Sequence, residues 1–242
     1  MTNRIKSGVL GLDELIGGGF IEGDSILISG APGTGKSILG MQYLYYGALE
    51  CDDPGIYVSF EETTDRIKSH FRVFNWDIDR FDQESKISVM SLDPIHSTQS
   101  IHHTRQIEEY MFNFRTVQTV IEHAVETMNA KRIVIDSLSA LTSFAKSTFE
   151  VREVILYLKE LLSSYNCTPL FLSQSQKAGT SHILYEETLV DGIIYLYYEK
   201  KDLKRQRSIE IIKMRDTSHY EGIYSLKITK AGIEVYPFKA EF

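Results

Sequence analysis

The stretch Gly30-Ala31-Pro32-Gly33-Thr34-Gly35-Lys36-Ser37 decides the fold, because it reads G-x-x-x-x-G-K-S, the pattern of a phosphate-binding loop. An apolar run precedes it at residues 25–29, and helical spacing follows it over residues 38–50. The sequence therefore predicts a strand, a glycine loop and a helix in succession. Glycines let successive amide N–H groups turn inward toward a polyphosphate, and the helix N-terminus adds partial positive charge.

The loop predicts specific contacts with a nucleotide. Lys36 would reach the β- and γ-phosphates, and the Ser37 hydroxyl would hold Mg²⁺. The other loop residues expected to touch the nucleotide are Pro32, Gly33, Thr34, Gly35 and Ile38. The alternative is a flexible glycine loop that matches the pattern by chance, but the flanking strand and helix argue against it. ATP and Mg²⁺ are therefore the expected cofactors.

The composition narrows the class of protein. With 242 residues, of which 43% are hydrophobic and 24% charged, the chain has room for one large α/β domain or two small ones. The formal net charge of −7 argues against a dedicated nucleic-acid-binding protein, although it permits local contact with DNA. No segment has the pattern of a signal peptide or a membrane span, and the two cysteines form no metal-binding spacing. We expect a cytoplasmic protein with free thiols and no membrane partner.

Further strands define the fold class. Four apolar runs follow the loop, and helical patterns lie between them, as in a parallel sheet. The runs are residues 56–60, 86–92, 132–136 and 168–173, and the helical patterns are 65–75, 116–128 and 151–165. Residues 93–115 read as a loop with a partial helix. Four more runs between residues 192 and 236, joined by short polar turns, predict an antiparallel edge. With no linker or repeat, the prediction is one doubly wound α/β domain spanning residues 1–242.

Polar side chains stand at the carboxyl ends of these strands, where ligands bind in open α/β sheets. Asp136 ends one strand and is expected to hold Mg²⁺ opposite the loop hydroxyl; a helix cap is the alternative. Glu61 and Glu62 end another, and we predict that Glu61 activates the attacking water with Glu62 assisting. The alternative for this pair is a solvated acidic turn. Gln174 ends the fifth strand and either senses the γ-phosphate or is simply a polar strand end.

The order of these motifs resembles the KaiC-like branch of the RecA superfamily. The motifs are the phosphate loop, strand-Glu-Glu, strand-Ile-Asp-Ser, strand-Ser-Gln and Lys213-Met214-Arg215-Asp216-Thr217-Ser218-His219, flanked by G-V-L-G-L-D-E-L-I-G-G-G at 8–19 and K-I-T-K-A-G-I-E-V-Y-P at 227–237. The likeness spans nearly the whole chain, and the chain most resembles the single-domain KaiC-like proteins of archaea. It implies a RecA-like fold and a slow ATPase in signalling or circadian-type regulation, with client proteins that the sequence does not identify.

The resemblance also implies a homo-oligomer, a hexameric ring with ATP between neighbouring subunits. Lys213 and Arg215 of one subunit would approach the γ-phosphate held by the next, with Met214 in the same nucleotide-contacting run. Thr217 and His219 would lie near the base and ribose. Cations delivered in this way stabilise the charge that spreads over the γ-phosphoryl oxygens in the transition state. From the pattern alone, the two cations would be an exposed pair on an edge strand.

Two departures from the superfamily bear on function. The double-domain clock protein phosphorylates itself on adjacent Ser and Thr residues, whereas the similar place here reads Glu187-Thr188, which argues against autokinase activity. Recombinases usually carry a further helical DNA-binding domain, which we do not expect here, and the loop at 175–182 has one lysine. The alternatives left open are an accessory of recombination or DNA repair, similar to RadA paralogues, that binds single-stranded DNA, and an ATP-gated assembly or scaffold protein. The pair His102-His103 is interpreted as a surface pair.

Overall fold

A computed structural model of the chain describes residues 3–92, 114–143, 145–174 and 185–239. The predictions for residues 93–113, including His102-His103, and for the loop at 175–182 lie outside the described residues. The strands are β1 (Arg4–Ile5), β2 (Phe20–Ile21), β3 (Ile26–Gly30), β4 (Gly55–Ser59), β5 (Ile87–Ser91), β6 (Arg132–Asp136), β7 (Thr168–Gln174), β8 (Gly192–Lys201), β9 (Lys204–Met214), β10 (Ile223–Thr229) and β11 (Gly232–Lys239). The helices are α1 (Leu12–Leu15), α2 (Lys36–Tyr46), α3 (Thr64–Phe71), α4 (Ile78–Gln83), α5 (Phe114–Met128), α6 (Leu138–Thr142) and α7 (Thr148–Ser164).

Nine strands form one sheet in the order β11-β10-β9-β8-β3-β7-β6-β4-β5. The strands from β8 to β5 in that order are parallel to their neighbours, and β9, β10 and β11 pair antiparallel at the other edge. Strands β1 and β2 form a separate two-stranded sheet. The prediction of an α/β, doubly wound, mostly parallel sheet with an antiparallel C-terminal edge is therefore confirmed.

Apolar side chains on both faces of the sheet explain this architecture. Strands β3 and β4 are buried along their whole length, as central parallel strands are. Helices α2, α3 and α4 cover one face, with Leu39, Ile67 and Phe81 in its core. Helices α5, α6 and α7 cover the other, with Ile121 and Leu158 in its core. These helices thus bury apolar side chains against both faces of the sheet.

One short helix, α4, was not predicted from the sequence. It follows the predicted helical pattern at 65–75 and begins at Ile78. The Asp77 carboxylate accepts a hydrogen bond from the Arg80 backbone amide at 3.1 Å, which caps this helix at its N-terminus. The sequence did not reveal α4 because a capping aspartate resembles a polar turn when the helix that follows is short.

A buried arginine, Arg132 at the start of β6, links the sheet to helix α2 through the Tyr43 carbonyl. Arg132 is fully buried and pairs with Asp53 at 2.7 Å, and its guanidinium lies 4.7 Å from the centre of the Tyr43 ring. A Cβ atom at Gly47 would stand 2.4 Å from the Arg132 Nε atom, so only glycine fits where α2 passes into a wider helical turn. Among the described helices, none has the length and apolar character needed to cross a membrane.

Candidate functional site

Strand register brings the predicted polar residues to one edge of the sheet. Gly30 on β3 is level with Gln174 on β7, and Ser59 on β4 is level with Asp136 on β6. The ends of these strands open onto a cleft of about 400 Å³. The predicted residues that line the cleft are Pro32, Gly33, Gly35, Lys36, Ser37, Ile38, Glu61, Glu62, Asp136 and Gln174.

The glycine loop has the backbone geometry that its pattern predicts. Gly33 and Gly35 have φ angles of 81° and 111°, which disfavour any residue with a side chain. Thr34 differs from the expectation, because its side chain is fully buried and its hydroxyl donates to the Ala31 carbonyl at 2.9 Å. The Thr34 side chain therefore supports the loop from inside, and Thr34 is not among the residues that line the cleft.

The Lys36 ammonium group lies inside the loop. Its Nζ atom donates to the carbonyl oxygens of Gly30 at 2.7 Å and Ala31 at 3.1 Å. Burial lowers the pKa of Lys36, while the nearby carboxylates of Asp136 and Glu61 act in the opposite direction. A phosphate oxygen in the cleft would offer the same N–H groups an anionic acceptor in place of neutral carbonyl oxygens, which adds the attraction between opposite charges to the hydrogen bond.

Three oxygen-bearing side chains, those of Ser37, Tyr57 and Asp136, line the cleft beside the end of the phosphate loop. The Tyr57 hydroxyl donates a hydrogen bond to the Asp136 carboxylate. Burial, with Asp136 beside it, raises the pKa of Tyr57 well above its ordinary value, so the phenol stays protonated. A hydroxyl and a carboxylate are hard oxygen donors, which fit Mg²⁺ bound partly through water.

Sequence reasoning missed Tyr57 as a residue of the site. It lies two positions before Ser59, so the alternation of a strand puts both side chains on the same face. Ser59 is level with Asp136 on the neighbouring strand. The signal was therefore present in the spacing, but it required knowledge of which strands are neighbours.

The two glutamates differ in their surroundings although they are adjacent in sequence. Their amide groups donate to the Ser59 hydroxyl at 3.3 Å from Glu61 and 3.0 Å from Glu62, which turns the chain at the end of β4. The Glu62 carboxylate then pairs with His70 at 3.2 Å and with Arg66 at 3.9 Å, both on α3. Glu62 is therefore directed toward a helix, whereas Glu61 lines the cleft without an ion pair among the described residues.

The Glu61 carboxylate has a perturbed acidity. Partial burial, together with the carboxylates of Asp136 and Glu62, raises its pKa, and Lys36 opposes that shift. A carboxylate with a raised pKa is a better proton acceptor than an ordinary one. Glu61 therefore has the chemistry of a general base, while Glu62 is held by its partners on α3.

Gln174 reaches the cleft from a hydrogen-bonded strand end. The Gln174 backbone amide donates to the Ser139 hydroxyl at 2.8 Å. The hydroxyl groups of Ser139 and Ser173 form a further hydrogen bond of 2.8 Å. Ser173 donates in turn to Glu186 at 3.0 Å. This network fixes the backbone at the end of β7, and the Gln174 side chain is left exposed at the cleft.

A second residue that the sequence did not single out is Arg207. It lines the cleft from β9, and its Nε atom donates to the Gly33 carbonyl at 3.0 Å. Its guanidinium lies 4.0 Å from the centre of the Tyr198 ring, with which it is paired across the β8–β9 hairpin. In the sequence, Arg207 is one of several basic residues in a hairpin, and only the strand register distinguishes it.

Strand β9 carries Met214 to the opposite end of the sheet from the cleft. Met214 pairs with Gly192, which is level with Ile26, whereas Leu196 is level with Gly30 at the phosphate loop. Four residues of strand, 192 to 196, therefore separate the two levels, or about 13 Å at the rise of a β-strand. The side chain of Met214 is buried in the core, with its sulfur beside Gly192.

The two cations of this run contact their own chain. The Lys213 Nζ atom donates to the Val190 carbonyl at 2.7 Å, and burial lowers its pKa. Arg215 pairs with Asp191 at 2.9 Å and has a side chain that is 50% exposed. Neither Lys213 nor Arg215 lines the cleft of its own chain.

Thr217 and His219 also lie away from that cleft. The Thr217 hydroxyl accepts a hydrogen bond from Arg4 at 3.1 Å, and the His219 Nδ1 atom lies 3.4 Å from the Tyr220 carbonyl oxygen. The predicted residues thus divide into two groups. The loop, the carboxylates and Gln174 meet in one cleft, whereas residues 213–219 occupy the far end of the same sheet.

Comparison with known proteins gives a matching family and several relatives of this chain. A family model described as "ATPase: KaiC" matches residues 5–240. The chain is 36% identical to a UPF0273 protein of Thermotoga maritima over 98% of this chain and 97% of that protein. It is 29% identical to the circadian clock oscillator protein KaiC of Synechococcus elongatus over 98% of this chain, but it spans only 45% of that longer protein.

The fold has a counterpart among solved structures. The crystal structure of a KaiC-like protein from Pyrococcus horikoshii matches with a TM-score of 0.84 and 32% sequence identity, covering 98% of this chain and 100% of the other. The match covers both the parallel centre of the sheet and its antiparallel edge, so it includes both groups of predicted site residues.

Proposed function

Because this chain belongs to the KaiC family of ATPases, we propose that it binds ATP with Mg²⁺ and hydrolyses it slowly as a ring-forming enzyme. One observation carries the proposal: the phosphate loop, Asp136 and Glu61 line one cleft, while the cationic run 213–219 lies at the far end of the sheet. The chain acts as one domain in this proposal, and a role in signalling or circadian-type regulation follows from the family alone.

The residues of the cleft take separate roles in the proposal. Lys36 and the loop amides bind the phosphates, and Ser37 and Asp136 hold Mg²⁺, which neutralises charge on the phosphate oxygens when bound. Glu61 takes the proton of the attacking water, and Glu62, held by its partners on α3, supports it. Pro32, Gly33, Gly35 and Ile38 contact the nucleotide along the loop, together with the Thr34 backbone and Gln174 at the γ-phosphate.

The transition state calls for cations beyond those of a single chain. Among the described residues that line the cleft, Lys36 and Arg207 are the lysine and arginine present, and Arg207 is already bonded to the Gly33 carbonyl. We therefore assign Lys213 and Arg215 to the nucleotide of a second copy, with Met214, Thr217 and His219 in the same contact. A hexameric ring is the assembly that we propose: head-to-tail contacts form a ring when the rotation between subunits closes, and the number six follows from the family resemblance.

A dilution series tests the proposal. We expect Mg²⁺-dependent release of phosphate whose turnover per chain rises with protein concentration and is lost when the metal is chelated. Mass measurement in the same samples should show that activity follows assembly. Absence of phosphate release at every concentration would contradict the ATPase, and assembly on ATP without any turnover would support a scaffold instead. Full turnover by the lone chain would contradict the shared site.

A further inference from the structure

A buried carboxylate stands behind the arginine of the cationic run. The Asp191 side chain is 10% exposed, and its Oδ2 atom accepts hydrogen bonds from the Ser25 amide at 3.1 Å and the Ser25 hydroxyl at 2.7 Å. Its Oδ1 atom accepts from Lys159 at 2.6 Å and from Arg215 at 2.9 Å. Both carboxylate oxygens are therefore engaged, and Arg215 is the most exposed of the partners whose side chains form ion pairs with it.

Hydrogen bonds to backbone carbonyl oxygens also connect the end of β9 to the segment that contains Asp191. The Arg215 amide donates to the Asp191 carbonyl at 3.0 Å, and Lys213 donates to the neighbouring Val190 carbonyl at 2.7 Å. The end of β9 is thus tied to the segment before β8 at three points. The backbone from which the Arg215 side chain extends is therefore fixed, and one side of its guanidinium is held by Asp191.

Asp191 does not depend on Arg215 for its own charge balance. Burial alone would raise the pKa of Asp191, but the bonds from Lys159 and Ser25 outweigh burial and lower it. Lys159, 22% exposed, already supplies one positive charge. The Arg215–Asp191 pair is therefore more important for the arginine than for the carboxylate. Because the guanidinium is planar, a bond along one edge fixes the direction in which the opposite edge points.

We propose that Asp191 is a positioning residue for Arg215, which it holds half-exposed so that the opposite edge of the guanidinium meets the phosphate bound by a second copy. This inference rests on the proposed function, in which Arg215 acts across the subunit interface. Positioning matters because a displacement of about 1 Å in a catalytic group can lower a rate by about 10²-fold.

The test compares turnover of assembled protein for four variants at saturating MgATP. Asp191→Asn keeps the shape of the side chain and loses its charge, and we expect turnover to fall about tenfold, the loss of one charge-assisted bond. Arg215→Ala is expected to fall about 10²-fold. The double variant should equal Arg215→Ala, since Asp191 then has no arginine to position. Asp79→Asn is the matched control, because Asp79 also pairs with an arginine, Arg72 at 3.0 Å, but lies on α4 away from the cleft and from residues 213–219, and it should keep wild-type turnover.

Binding of a non-hydrolysed ATP analogue provides the second readout. Positioning of Arg215 predicts that Asp191→Asn lowers kcat while the analogue's affinity for the phosphate loop of the lone chain is unchanged. If Asp191→Asn does not fold, Asp191→Glu keeps the charge and shifts the carboxylate by about one bond length, and turnover should again fall. Unchanged turnover in the folded Asp191 variant would overturn the inference, as would a further tenfold loss in the double variant.

The outcomes separate this inference from the function on which it rests. If Arg215→Ala keeps wild-type turnover, the assignment of Arg215 to a second copy fails and Asp191 has nothing to position. If Arg215→Ala is impaired and Asp191→Asn is not, the proposed function stands and only the positioning role of Asp191 is overturned.

Discussion

The two ends of the central sheet carry opposite kinds of chemistry. At the carboxyl ends of β3, β4 and β6, the chain forms a cleft with a phosphate loop, a candidate metal site and a candidate base. At the other end, Arg215 and Asp191 form an ion pair outside that cleft, with half of the arginine side chain exposed. The difference teaches that one chain brings its phosphate-loop pattern and carboxylates together in a single cleft, while it holds a half-exposed arginine elsewhere. In the function we propose, the two ends complete one site when two copies of the chain meet.

The largest effect is expected at the cleft itself. Lys36→Ala should lower turnover by at least about 10²-fold, because the Lys36 ammonium lies inside the phosphate loop, where it would stabilise charge on the phosphate. The ATP analogue should also bind much more weakly, as measured by titration calorimetry. Lys86→Ala, which removes a surface pair with Asp52, is the control and should behave as wild type. Retained affinity in Lys36→Ala would show that this cleft is not the nucleotide site.

The next largest effects are expected at the two glutamates, and they should differ between Glu61 and Glu62. Glu61→Gln should lower turnover by about 10²-fold or more, as expected for loss of a general base. Since the base must be ionised and its pKa is raised, wild-type turnover should fall as pH decreases through a range above that of an ordinary glutamate. Glu62→Gln should cost less, because Glu62 is held by His70 and Arg66. A pH–rate profile of each variant decides between them, and a greater loss in Glu62→Gln would reverse the assignment.

A smaller effect is expected where Tyr57 supports the metal side of the cleft. Tyr57→Phe removes the hydroxyl that donates to Asp136, so the Mg²⁺ concentration for half-maximal analogue binding should rise about tenfold, as for other partners of metal ligands. Tyr236→Phe is a matched control, because its hydroxyl donates to Glu234 away from the cleft. Equal Mg²⁺ dependence in both variants would remove Tyr57 from the site.

The smallest effect concerns stability at the far end. Burial, then Asp191, raises the pKa of Asp24 to about 6, so the folded chain holds this proton more tightly than the unfolded chain. That contribution to stability is complete below the unfolded pKa and is lost as pH rises through about 6. Asp24→Asn should therefore stabilise the fold at pH 8 by about 1 kcal/mol, discounted for solvent screening, and not at pH 3.5. Urea unfolding at both pH values checks this; a gain that does not depend on pH would contradict it.

The sequence predicted the parts of the cleft that lie next to strand ends. The phosphate loop, Asp136 and Glu61 each follow an apolar run, so local pattern is sufficient to place them at one edge of a parallel sheet. Tyr57 and Arg207 were missed because their roles depend on the register between strands, which a single sequence does not contain. Thr34 shows a related limit, since the loop pattern does not reveal that its side chain is buried and that its hydroxyl bonds to the Ala31 carbonyl.

The far end was predictable only in part. The positions of strands β8 to β11 followed from their alternation, but the pairing of Arg215 with Asp191 joins two segments that an antiparallel hairpin brings together. Arg132 is a comparable case in the core. Its partner Asp53 lies 79 residues away, in the segment before β4, and the local pattern around either residue does not predict the pair. Long-range charge pairing is decided by topology, which emerges only when the whole sheet is assembled.

Mixing two inactive variants tests the shared site most directly. Lys36→Ala supplies an intact Arg215 with a disabled loop, and Arg215→Ala supplies an intact loop without the arginine. If the site is shared, equal mixing should restore about a quarter of wild-type turnover, since one half times one half of the interfaces join an intact loop to an intact arginine. A mixture no more active than its separate components, with assembly verified by mass, would contradict the account.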